Sequence, residues 1–192
     1  SFFEARDSED ASHSGRRWFP LNKGGGYRKW YGLNEHLANW RNDGEEIREF
    51  QVQLNSLKKP TSRMGIANNS EFYFRENITW GLITVTSPSF RYTKSGSISN
   101  VSGPSIFPNQ DVHFLCGLLN SVVAKYFLEF LSPTISFTPG TIAKTPVVDD
   151  VNAKKAAPEV VVQAISLALG DWNAYERSWD FQSLPLLTAS SD

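Results

Sequence analysis

The sequence predicts an α+β protein, with a mixed or antiparallel sheet, one long core helix over about 111–131 and a C-terminal helical extension. Three observations predict it. Short β-rich runs separated by Ser, Pro and Gly occupy 78–107, apolar residues at three- and four-residue spacing run through 111–131, and a second helix-forming stretch covers 156–169. With 192 residues, 40% hydrophobic, including 13 Phe, 6 Trp and 6 Tyr, the chain can fill one ordinary core with a small appendage beside it. The organisation reads as a linker or frayed arm over 1–15, a main domain over 16–150 and a helical, aromatic extension over 151–192.

The elements follow in order. Residues 1–15 are polar and acidic after Phe2 and Phe3, as expected of an arm. RRWFPLNKGGGYRKWY at 16–31 gives two aromatic stretches broken by Gly24, Gly25 and Gly26, which predicts strand, flexible turn, strand. A further strand fits 35–40. The Asp43-Gly44 turn precedes EEIREFQVQL, whose acidic start suits a helix N-terminus. In the 111–131 helix, Leu115, Leu118, Leu119, Val122, Val123, Tyr126, Phe127 and Phe130 form a stripe expected to be core, with Asn109 or Asp111 as cap. Pro133 ends it. TISFTPGTIAKTPV then reads as an extended stretch turning at Pro139-Gly140, and the helix over 156–169 stops at Gly170. The aromatic tail after it must dock on something if it is ordered.

Composition narrows the function. The net charge of −1 hides an asymmetry: residues 16–94 hold 13 Lys and Arg against 7 Asp and Glu, whereas residues 95–192 hold 5 against 9. A basic half is the footprint of a polyanion partner, because cations that neutralise phosphates release counterions. It is equally what a solvated face looks like. The single Cys116 lies in an apolar run and is expected to be a buried small hydrophobe. Lacking a disulfide framework, a run of eighteen apolar residues and a signal-like start, the sequence is expected to be cytoplasmic and not membrane-bound. The absence of an initiator Met suggests a fragment, although removal of a tag would look the same.

Catalytic signatures are missing from the text. The glycines at 24–26 fit neither the phosphate-loop nor the dinucleotide spacing. An adenine amino-methyltransferase needs a Gly-rich loop for S-adenosylmethionine and an Asn/Asp-Pro-Pro-Tyr/Phe motif; neither occurs. His13, His36, His113 and Cys116 lack zinc spacing, no Gly-x-Ser-x-Gly elbow exists, and Asp149-Asp150 reads as a polar connector. Recognition chemistry remains. Arg and Lys suit guanine edges and phosphates, and Asn suits adenine edges. The candidate DNA contacts are Lys23, Arg28, Lys29, Asn34 and Arg41 among glycines and aromatics, with Arg91 and Lys94 at a predicted strand end.

RWFPLNKGGGYRKWYG at 17–32 and NWRNDGEEIREF at 39–50 resemble the C-terminal region of the PglX family, the adenine-specific methyltransferases of bacteriophage-exclusion (BREX) systems. FYFRENITW at 72–80, GPSIF at 103–107, GLLNSVVAKYFLEFLSPTISFTPGTIAKTPV at 117–147 and DWNAYERSWDFQSLPLL at 171–187 resemble it in the same order, so nearly the whole chain is covered. The Leu-Leu-Asn-Ser helix, Pro-Thr and Ile-x-Lys-x-Pro strand also resemble specificity domains of restriction-modification enzymes.

The resemblance implies a parent with an N-terminal methyltransferase domain that uses S-adenosylmethionine, and a C-terminal part that selects the DNA sequence. This chain looks like the latter, a DNA target-recognition domain over 16–150, inactive by itself and without a cofactor. Its partners would be double-stranded DNA, the methyltransferase domain and other phage-exclusion proteins. Structural roles are expected for Asn120, Ser121, Pro133 and Pro146. The alternative is a protein-interaction module docking through Trp172, Tyr175, Trp179 and Phe181.

Overall fold

The apolar run Trp18-Phe19-Pro20-Leu21, closed by Asn22, forms β1 (Trp18–Asn22) at the centre of a three-stranded sheet. It pairs antiparallel with β2 (His36–Asn39), Trp18 opposite Asn39, and parallel with β5 (Ile98–Ser99). Pro20 is tolerated there because β5 reaches only Leu21 and Asn22, which leaves β1 an edge at the proline. In the second sheet β3 (Asn77–Trp80) lies between β4 (Phe90–Thr93) and β6 (Ser105–Ile106), antiparallel to both. These mixed and antiparallel sheets, with helices packed on them, make the chain α+β. A computed structural model describes residues 5–57, 69–148 and 150–188; Phe2, Phe3 and Asp149 lie outside them.

Each sheet organises its own core. Ile78, Trp80 and Phe90 of the second sheet pack with Leu115, Cys116 and Leu119 of α3 (Val112–Asn120), Leu128 of α4 (Val122–Leu131), and Val161 and Ile165 of α6 (Val151–Asn173). The Trp80 indole N–H donates to the Phe137 carbonyl at 2.8 Å, so its one polar atom is satisfied. Around the first sheet Phe19, Trp40, Tyr73, Phe74 and Ile98 pack with Ala5 and Ala11. Buried polar groups join the two sheets: the Asn22 amide donates to Asn77 Oδ1 and to the Ser97 hydroxyl, both at 3.2 Å.

The structure corrects several expectations. Residues expected in a frayed arm include the helix α1 (Ser8–His13), N-capped by Asp7 and held by buried Ala11. The aromatic stretch after the glycines is not a strand; only Trp30 bridges to Arg91, because its neighbours turn away to reach the helices. α2 (Arg41–Leu57) begins with the expected turn, where Asn42, Asp43 and Gly44 are left-handed.

The helix expected over 111–131 is two helices bent by 68°. Ser121, extended at φ −68° and ψ 158°, closes α3 and caps α4, its hydroxyl accepting the Ala124 N–H at 3.1 Å. Asp111 caps α3. Much of the stripe expected in the core is exposed on α4, because the bend turns that face outward. The stretch expected extended over 135–147 holds one bridge, Ile83 to Ser136, and then a single helical turn, α5 (Pro139–Ile142), capped by Thr138. The C-terminal helix overruns both expected ends. Asp150 caps it, it continues through Pro158, and Gly170 does not stop it because Trp172 is drawn into the protein at 5% exposure. α7 (Pro185–Thr188) ends the described chain. Among the described residues, no single helix is long and apolar enough to cross a membrane.

Candidate nucleic-acid interface

The loop after β1 is shaped by glycine. Gly24 has φ +82°, and a Cβ there would stand 2.3 Å from the Ser102 carbonyl oxygen, so the loop lies against 102–103 as only glycine permits. Lys23 and Tyr27 flank it, both exposed. Arg41 stands exposed at the turn that opens α2. Neither Lys23 nor Arg41 has an ion-pair partner among the described residues.

Lys94 follows β4 and lines a cavity of about 250 Å³ together with Asn34. Asn22, Tyr31, Trp172, Trp179 and Asp180 also line it. The cavity thus gathers two of the residues expected to meet DNA and two of those expected to dock a partner.

The other expected DNA contacts are engaged within the protein. Arg28 ion-pairs with Asp171, donates to the Tyr31 and Ala168 carbonyls, and lies over the rings of Trp172 and Tyr175 at 5.1 and 5.7 Å. Lys29 donates to the Asn120 carbonyl at 2.8 Å, a cation at the C-terminus of α3 where the helix dipole favours it. Arg91 is 2% exposed, and burial, with the neighbouring Arg28 charge, pushes its guanidinium down to about 10. It remains charged at neutral pH. Arg17 and Arg48 are also paired, with Glu46 and Asp43.

Among the residues expected to dock a partner, Trp172 is buried and stacked on Tyr175 at 6.1 Å, and Trp179 and Phe181 are half-buried. Tyr175 is 52% exposed. Arg177 reaches across to ion-pair with Glu35, which further ties the tail to the first half. The apolar surface that the sequence reading missed lies on α4, where Val122, Val123, Tyr126 and Phe130 are exposed. A signal was available: eight of the ten residues VVAKYFLEFL are apolar, more than the one buried face of an ordinary surface helix needs. No group of three or more His, Cys, Asp or Glu able to hold a metal occurs among the described residues.

No family model matches the chain. Two curated relatives do. The chain is 39% identical over 179 residues to the adenine-specific methyltransferase PglX of Lacticaseibacillus casei (strain Zhang), a match over 90% of this chain. It is 32% identical over 186 residues to the adenine-specific methyltransferase BrxX of Escherichia coli O9:H4 (strain HS), over 94% of this chain. In each case the chain spans 14% of the relative's length. Identity at that level along nearly all of the chain makes it homologous to one segment of the PglX and BrxX adenine-specific methyltransferases.

Proposed function

We propose that this chain is a DNA target-recognition segment of a phage-defence adenine methyltransferase, which holds duplex DNA for a catalytic domain elsewhere in the parent. The kinship along the chain carries this reading. The exposed cations Lys23 and Arg41, the glycine loop, and Asn34 and Lys94 at the cavity carry the donor chemistry that suits phosphates and base edges. Arg28, Lys29 and Arg91 hold the scaffold that presents them. S-adenosylmethionine, which adenine-specific methyltransferases imply as methyl donor, is assigned to the catalytic domain elsewhere in the parent. The alternative docking role for the tail is weakened by the internal burial of Trp172.

A salt titration of binding to duplex DNA tests the proposal. Phosphate contacts predict that log affinity falls with log salt with a slope of several units, and that Lys23→Ala, Arg41→Ala and Lys94→Ala each reduce it by about one. A slope near zero sinks the DNA reading.

A further inference from the structure

α4 turns the usual amphipathic arrangement inside out. At about 100° per residue, Val122, Tyr126, Phe130, Val123 and Phe127 fall within one arc of about 140°, whereas the buried Ala124 and Leu128 lie opposite. The outward arc is Phe130 at 84% exposure, Val123 at 77%, and Tyr126 and Val122 at 66%. The loop after β3 extends the apolar surface. Ser87 bonds Glu129 at one edge of the arc, the Thr84 N–H bonds the Ile135 carbonyl, and Ile83, Val85 and Ile135 are themselves exposed. The helix's own charges, Lys125 and Glu129, pair with each other at 3.9 Å and leave the face without net charge.

An uncharged aromatic face gains nothing from phosphates and fits a partner whose facing side is apolar. The matched segment is only 14% of the relatives' length, so most of their polypeptide is tethered to it and within reach of this face. Tethering raises the effective concentration of that contact far above that of a free partner. We infer that the outer face of α4 is an interdomain interface, covered in the parent methyltransferase by an apolar surface of another of its domains. The inference rests on the kinship and on the geometry of α4, and stands apart from DNA reading.

Hydroxyl-radical footprinting with peptide-resolved mass spectrometry tests it, without DNA, on the unmodified 192-residue chain and on the intact methyltransferase containing this segment. Oxidation of Tyr126 and Phe130 is expected to fall several-fold in the intact enzyme. Equal oxidation in both overturns the inference. So does protection within the 192-residue chain that grows with concentration alongside a dimer mass in sedimentation, which would make the occupant a second copy.

Discussion

Asn120 joins a helix to a sheet through one amide. Its Oδ1 accepts the Phe90 N–H at 3.1 Å, and its Nδ2 donates to the Phe90 and Cys116 carbonyls at 2.9 and 3.1 Å. All of this is buried, so removing the amide strands the Phe90 N–H, whereas the Phe90 carbonyl keeps the Trp30 N–H at 2.9 Å. Asn120→Ala is expected to cost about 2 kcal/mol, read as a lowered midpoint in urea unfolding. A loss within about 0.5 kcal/mol, the usual range of an inert surface change, would mean that water or a neighbour replaces the amide. The family resemblance led to a structural role for Asn120. It did not reveal that Lys29, expected on DNA, closes the same helix end. A cation's identity says nothing of its partner when that partner lies 91 positions away.

Between elements, α3 and α6 approach closely. A Cβ on Gly117 would stand 2.6 Å from Val161 Cγ2. Gly117→Ala is therefore expected to destabilise by about 1–3 kcal/mol through overpacking, and Val161→Ala in the same chain should restore part of the loss. Equilibrium unfolding of the single and double variants checks this, and independent, additive effects would show that the helices are not in contact there. The break between α3 and α4 was hidden from periodicity, because both pieces carry apolar residues at helical spacing. Ser121 is a good cap, but a serine within an apolar run does not announce which way the chain turns after it. Elsewhere local chemistry was enough: Asp111 before an apolar run and the Asp43-Gly44 turn both occupy the roles their types suggest.

Across the whole molecule, burial of titratable groups couples stability to alkaline pH. Burial pushes the Cys116 thiol up to about 12 from an ordinary 9.0, with Asn120 opposing weakly. A thiol raised in this way contributes its full stability below pH 9, and loses it as pH climbs toward 12, because the unfolded chain releases the proton first. Tyr73 and Tyr92, raised chiefly by burial, act in the same direction. Arg91 opposes them, since its lowered value makes its folding penalty fade as pH rises through about 10. Urea midpoints are expected to fall between pH 9 and 11, and Cys116→Ala should flatten the fall by up to about 1.4 kcal/mol per pH unit. An unchanged slope would show that Cys116 titrates normally in the folded protein.

By itself the sequence determined the α+β class, the strand-rich middle, the helical second half and the kinship to adenine methyltransferases. Each of these depends on local pattern or on ordered strings of residues, which survive without coordinates. Only the tertiary structure decided which cations are spent inside the protein, where the long apolar run breaks, and which of its faces is left uncovered. Those outcomes depend on partners distant in the chain: Arg28 on Asp171, Lys29 on Asn120, and α4 on a bend that buries Leu128 and exposes Phe130. Charge and apolarity can be read residue by residue, but whether a side chain meets protein or solvent is fixed by packing, which no local pattern encodes.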